Sequence, residues 1–520
     1  MKESDQTETP LSPLELFTLG YCWQTPDTRK RVMRGFLFVI IVLGFALLQL
    51  PFVKADADSS LSWSRGPYTD EGLYSAQVRN ALVTGHLDLT EADGIMIEPL
   101  FEAVNWLSAR FLADRMTTAR TSVMLAAISG LTFLASWSGP FARTIWIAIP
   151  FVFLSYYPFH YAHLDMAEFP CSIAILFCIA ATGARLRGGA NYTLVLGAIA
   201  AAVTYAIKIQ YLYVAAIPPT AFVLAIVIRH FSGLPIARTQ WFDLGGAALC
   251  SVIFASLFFL AWVVPNRELF AHAIERIFEQ QARLGSSVVL HNLHDLIRDV
   301  YIWPIFVLVM VGAAALWWQC HTGAGSSRVP EEWIASTAPL VAWLLLESHK
   351  LGLSYLPSRY LVSAYLAAGM LGAAALSLTT WPAIKGAPRS AVTLVAALGV
   401  LALGLNVAYY VRSLRDRHYT ILDAQTAFQA SGKWRGKVVV GPWAPALFWG
   451  SGAITRHVLK GYNDRDILAR QHPAAIVTEP DQSDSDGAFA RDGIKLPPKV
   501  DYKFDIGPWR VDVYEMNGHP

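Results

Sequence analysis

Apolar residues in this chain come in long unbroken runs separated by short polar stretches, the pattern of helices embedded in hydrocarbon and not of half-buried strands. Runs fall at residues 36–53, 120–137, 144–158, 170–184, 192–207, 211–228, 243–264, 300–318, 332–347, 356–378 and 391–410. Each approaches the ~20 residues that a membrane-spanning helix needs, so about eleven spans are expected. Two segments break the rhythm. Residues 54–117 form a polar loop too long for a simple connection. Within it, Leu73, Ala76, Ala81 and Leu82 follow Thr69 at helical spacing, and Phe101, Val104, Trp106, Leu107, Phe111 and Leu112 suggest a second helix lying on the membrane. Residues 267–284, with Phe270, Ile274, Ile277, Phe278 and Leu284 along one side, suggest another interfacial helix. Beyond 411 the pattern changes to short strands at 438–440, 475–478 and 509–514, spaced too widely for a hairpin and separated by Gly, Pro and Asp. The expected fold is an all-α polytopic membrane domain at 35–410, with amphipathic helices in its loops, followed by a small soluble α+β domain at 411–520.

Composition agrees and adds an orientation. Of 520 residues, 54% are hydrophobic and 15% charged, more apolar length than one soluble core hides. The net charge of +2 comes from scattered basic residues, which argues against nucleic acid as a partner. Arg29, Lys30, Arg31 and Arg34 precede the first run, so residues 1–34 are expected to be cytoplasmic. Ala55-Asp56-Ala57 resembles a signal-peptidase site, but the preceding run is longer than a signal-peptide core, so the first helix is expected to stay. Alternating the spans puts Arg143, Arg185, Arg187, Arg229, Arg238, Arg328, Lys385 and Arg389 inside, as the charge rule requires. The loop 54–117, the turn 157–168, the bend at Lys208, residues 265–299 and 348–357 and the C-terminal domain then lie outside, periplasmic if the membrane is a bacterial inner membrane. Five cysteines show neither a disulfide framework nor zinc spacing.

Candidate chemistry concentrates on that outer side. Asp70 and Glu71 follow Thr69; if Thr69 caps a helix, both carboxylates sit in its first turn, where the dipole keeps Asp70 ionised and only modestly basic. Asp165 and Glu168, three residues apart beside His163, stand at the mouth of the run at 170–184. Ionisable groups at membrane depth are expensive and usually functional. Lys208 lies between two apolar runs and needs an anionic partner unless it snorkels. His349, Lys350, Tyr355, Arg359 and Tyr360 gather basic and aromatic groups beside a span, as a phosphate site or an interfacial belt does.

These pieces resemble the membrane glycosyltransferases of GT-C fold, in the branch of protein O-mannosyltransferases and aminoarabinose transferases (family 39/83 type). The carriers are Asp70-Glu71 after the first span, Pro99-Leu100 in the loop, Arg120 at the next span, Asp165, Lys208 and Arg359-Tyr360. The resemblance implies inverting transfer of a hexose or pentose from a polyprenyl phosphate, with Asp70 as base and Glu71 and Asp165 beside it. Lys208, Arg359, Lys350 and Arg267 would hold the donor phosphate, and Tyr74, Glu168, His163, His349, Tyr355 and Tyr360 would line the substrate site. The expected partners are the lipid-linked donor, an envelope glycan or lipid acceptor, and membrane lipids. One departure is Glu98-Pro99, where aminoarabinose transferases typically carry a lysine before the proline. No cofactor is expected; on hard-ligand grounds a divalent cation would sit between Asp70, Asp165 and Glu168. The competing readings are a protein hydroxyl as acceptor, or a flippase for lipid-linked saccharide, which would need a midplane site between repeats that the sequence does not show. The C-terminal domain, on the same side, is expected to help select the acceptor.

Overall fold

Each of the apolar runs lies on a helix in the computed structural model, which describes residues 28–89, 94–136, 140–271, 286–321, 329–378, 389–459, 463–464, 466–480 and 483–516. The helices are α1 (Thr28–Gln49), α2 (Gly66–Thr84), α3 (Pro99–Phe111), α4 (Met116–Ser136), α5 (Pro140–Ala148), α6 (Tyr156–Tyr161), α7 (Glu168–Leu186), α8 (Tyr192–Ile207), α9 (Ile217–Phe231), α10 (Arg238–Phe258), α11 (Ser286–Arg298), α12 (Trp303–His321), α13 (Val329–Glu347), α14 (Ser358–Leu378), α15 (Arg389–Arg415), α16 (Thr420–Ser431) and α17 (Ser483–Arg491). Among the described residues, seven helices are long and apolar enough to cross a membrane, and three shorter apolar ones, Val42–Phe52, Arg143–Phe153 and Tyr192–Ile207, accompany them. The protein is thus a helical membrane protein with a small sheet domain at its C-terminal end.

α7 is the hub of the bundle, packed by α4, α8, α13 and α14. α10 shows Leu249, Val252 and Leu257 on its surface, and α15 shows Leu394 and Val400. A helix apolar on its exposed face has hydrocarbon and not water beside it. α12 and α14 touch backbone to backbone: a Cβ at Gly312 would lie 2.6 Å from the Gly372 carbonyl oxygen.

The polar loop folds into α2, a single turn at Gly94–Ile97, and α3. α3 exposes Trp106, Leu107 and Phe111, with Leu112 just past its end, as a helix resting on a membrane surface does. α2 starts earlier than Thr69 suggests. Arg65 is its N-cap and Pro67 stands in the first turn, so Asp70 and Glu71 lie past that turn and no acidic residue faces the helix N-terminus. The helix ends at Gly85, which takes φ 79 and donates its N–H to Ala81 O. Of the proposed interfacial helix at 267–284, residues 272–285 lie outside the described residues; Phe270 is buried against Met96 and Val263.

The C-terminal domain is a five-stranded mixed sheet of order β2-β1-β3-β5-β4, made of β1 (Val438–Val440), β2 (Ile454–Arg456), β3 (Ala475–Thr478), β4 (Tyr502–Ile506) and β5 (Trp509–Glu515). β1 pairs parallel with β2 and β3, and β5 runs antiparallel between β3 and β4. The strands at 438–440, 475–478 and 509–514 are present. A hairpin, not expected, joins β4 to β5 through Gly507-Pro508, with Ile506 paired to Trp509 and Gly507 at φ 57. It escapes a hydrophobicity scan because β4 reads Tyr-Lys-Phe-Asp-Ile and is largely exposed.

The domain docks on α2. A Cβ on Gly72 would lie 2.4 Å from the Ala446 backbone nitrogen. Asn80 exchanges hydrogen bonds with the Thr455 backbone at 2.8 and 2.9 Å, Arg79 donates to Pro445 O at 2.9 Å with its guanidinium 4.1 Å from the Trp449 ring, and Arg65 pairs with Glu479 at 2.7 Å. Enclosed between bundle and sheet, α2 buries Tyr68 to Gly72 and Ser75 to Asn80 despite its polar sequence.

Candidate active site

Asp70 lies on the bundle side of α2 and pairs with Arg359, the second residue of α14, whose Nη1 is 3.0 Å from Asp70 Oδ2. Backbone room makes this possible. Gly66 sits directly beneath the pair, and a Cβ there would lie 1.9 Å from Arg359 Nη1 and 3.1 Å from Asp70 Oδ2. The start of α14 is fastened by Ser358, whose hydroxyl donates to Leu61 O and lies 2.9 Å from the Tyr161 hydroxyl. Burial pushes the Asp70 carboxyl up, and Arg359 only partly offsets it. The expectation of a carboxyl lowered by a helix N-terminus is therefore reversed, because Asp70 lies beyond the first turn and away from water.

One turn along, the Tyr74 hydroxyl stands 3.5 Å from Asp70 Oδ2 and 3.5 Å from Lys208 Nζ. Lys208 occupies a break between α8 and the 3-10 segment Ile209–Ala216, with extended backbone at φ −151, ψ 113. It is buried, as expected of a lysine needing partners, and it has two: Glu98 Oε1 at 2.7 Å and Glu168 Oε1 at 2.9 Å. Its ammonium also sits 4.6 Å from the centre of the Tyr74 ring. Glu168 opens α7, and Glu98 is the N-cap of α3, held at φ −131, ψ 52 because Pro99 follows it. Glu98 was not among the residues singled out for the site; the signal was its place before Pro99, where the resemblance called for a cation.

Glu71 and Asp165 do not join this cluster. Successive helical residues project about 100° apart, so Glu71 leaves α2 in another direction from Asp70. Arg120 holds both its oxygens, Nε to Oε1 at 2.7 Å and Nη2 to Oε2 at 2.5 Å, and Arg120 Nη1 donates to Ala55 O at 2.5 Å. The Asp165 N–H donates to Glu71 Oε1 at 2.6 Å, and Asn105 Nδ2 donates to Asp165 Oδ2 at 3.2 Å. Glu71 is thus a buried strut joining α2 to Arg120 on α4 and to the segment before α7, away from the cluster around Asp70 and Lys208. Asp165 lies in the same network, beside Glu71, Asn105, Arg120 and Arg79. Among the described residues no group of three acidic, His or Cys side chains is placed to hold a metal ion.

Other expected site residues scatter. His163 is buried at the end of α1, its Nδ1 2.5 Å from Gln49 Oε1 and its ring stacked on Phe52. His349 is exposed beside Tyr213. Lys350 is consumed by Glu347 at 2.7 Å and by Tyr360 O and Ser363 Oγ at 2.8 and 3.0 Å. Arg267 is exposed. Tyr355 and Tyr360 flank Arg359, their ring centres 5.9 and 4.9 Å from its guanidinium carbon. The arrangement that results has a buried carboxylate braced by a guanidinium, and an ammonium across a tyrosine hydroxyl. It suits removing a proton at one end and stabilising negative charge at the other.

No protein-family model matches the chain, and no curated protein does. Among solved structures it is similar to ArnT from Cupriavidus metallidurans bound to undecaprenyl phosphate, with TM-score 0.58 at 16% identity, covering 94% of this chain and 98% of that one. The apo state of the same protein gives TM-score 0.59 at 16% identity, covering 92% and 98%. The archaeal oligosaccharyltransferase AglB from Archaeoglobus fulgidus, in complex with an inhibitory peptide and a dolichol-phosphate, gives TM-score 0.50 at 9% identity, covering 86% and 69%. Both neighbours have the GT-C fold, and so does this chain.

Proposed function

We propose that the protein is an inverting glycosyltransferase that moves a single sugar from a polyprenyl phosphate such as undecaprenyl phosphate to a hydroxyl of an envelope glycan or lipid. It would work at the outer face of a bacterial inner membrane. The observation that carries this reading is that Asp70 and Lys208 both reach the Tyr74 hydroxyl, each 3.5 Å from it. An anomeric carbon held beside that hydroxyl would have a base at one end of the cluster and a cation at the other. Asp70 takes the acceptor proton as the acceptor oxygen bonds to the anomeric carbon, and the bond from that carbon to phosphate oxygen breaks on the opposite side. The lipid phosphate leaves with both electrons, facing Lys208 and the remaining guanidinium N–H groups of Arg359. Arg359 aims Asp70 and favours its ionised form, against the opposing effect of burial. The fold supports the reading, because ArnT is solved bound to undecaprenyl phosphate and AglB in complex with a dolichol-phosphate.

Purified protein with labelled polyprenyl phosphate sugar and candidate acceptors tests it. Asp70→Asn should lower transfer by at least ~100-fold while donor binding and the folded state persist. Full activity in that variant would remove the proposed base, and label that changes leaflet without entering a product would establish a flippase instead.

A further inference from the structure

The Lys208 ammonium is the centre of a charge imbalance. Two buried carboxylates, Glu98 at 2.7 Å and Glu168 at 2.9 Å, share the one ammonium. In each of them Oε2 has no hydrogen-bond partner. The trio therefore carries a surplus negative charge where water is excluded, and a lipid phosphate arriving at Lys208 would add another. Uncompensated buried charge is removed most cheaply by a proton, and an unpartnered carboxylate oxygen is where that proton goes.

We propose that Glu98 takes up one proton from solvent as the donor phosphate binds, so that Lys208 passes from Glu98 to the phosphate, and returns it when the lipid phosphate leaves. This rests on the donor reading above. No covalent bond to carbon or phosphorus changes; Glu98 becomes a neutral carboxyl and the phosphodiester keeps its single charge. Glu98 is faced by Lys208 from the break after α8, Glu168 from α7, and Asp70 and Tyr74 from α2, with Cys171 nearby on α7. Lys208 is the cation of that group. Burial, with Glu168 adding to it, pushes the Glu98 carboxyl up to about 7 against the pull of Lys208, so the proton is available near neutrality.

The test uses undecaprenyl methyl phosphate, a phosphodiester with one permanent charge and no sugar, bound to the full-length protein in detergent. Titration calorimetry at pH 6 to 8.5, in buffers of different ionisation enthalpy, counts protons and gives Kd. The expected result is close to one proton taken up per lipid at pH 8, with Kd weakening about tenfold per pH unit above neutrality. Glu98→Gln should bind without proton uptake, with a Kd that barely changes with pH and is about tenfold tighter than wild type at pH 8. If that variant does not fold, the wild-type proton count decides alone. Tight binding by wild type without proton uptake, or the same pH slope in Glu98→Gln, overturns the role of Glu98 and leaves the donor reading standing. No binding at any pH overturns the donor reading and this inference with it.

Discussion

At the scale of single residues, the site is shaped by close approach as much as by charge. Gly66 matters because Arg359 Nη1 occupies the space where any other residue would place its Cβ, 1.9 Å away. Gly66→Ala adds only a methyl at the first residue of α2 and removes no charge, so an effect on function reports the position of Arg359. The expected outcome is a fall in kcat of tenfold or more, from displacing Arg359 off Asp70, in a protein that still melts cooperatively; steady-state kinetics beside thermal melting checks it. Wild-type kcat in this variant would show that the Asp70–Arg359 pair is dispensable. The same scale explains why Glu71 misleads. As a neighbour of Asp70 it reads as the second half of an acidic pair, yet the helix turns it toward Arg120, where both its oxygens are spent.

At the scale of elements, the first loop and the C-terminal domain hold each other. Asp56 accepts hydrogen bonds from the Thr420 and Ile421 N–H groups at 2.8 and 3.1 Å, so a carboxylate from after α1 caps α16 across the fold. Asp56→Ala should destabilise the C-terminal domain by ~1 kcal/mol, the usual value of a lost cap. Hydrogen exchange of the α16 amides measures it, with faster exchange expected at the helix start; unchanged exchange there would assign the capping to solvent. Element boundaries also decide chemistry. Pro67 moves the start of α2 back to Gly66, and Pro99 forces Glu98 out of the helical region, so two prolines set where Asp70 and Glu98 point.

At the scale of the molecule, the polar ends of distant helices meet in one layer and the C-terminal domain covers it. The domain was expected to select an acceptor, but its closest engagement is with α2 itself. Gly72→Leu tests that engagement, since its side chain would enter space held by the Pro445-Ala446 backbone, 2.4 to 2.7 Å from the new Cβ. The expected outcome is a bundle that stays folded, a C-terminal domain released to protease, and transfer lost for every acceptor. Retained transfer with a changed acceptor preference would support the selector role.

Much of the architecture is determined by the chain alone. Apolar run length, the basic residues beside the first run and the change of pattern near 411 are properties of composition and spacing, which bilayer thickness and backbone hydrogen bonding convert into helices whatever the neighbours. Asp70, Glu168, Lys208 and Arg359 could be picked out as costly polar groups among apolar ones; Glu98 could not. Which of them touch was decided only by the folded chain. Lys208 chose Glu98 and Glu168, Arg359 chose Asp70, and Arg120 took Glu71, because pairing depends on where α2, α7, α8 and α14 end relative to one another. Those positions come from long-range packing, and a one-residue shift at a helix end rotates a side chain by about 100°, which no local pattern records.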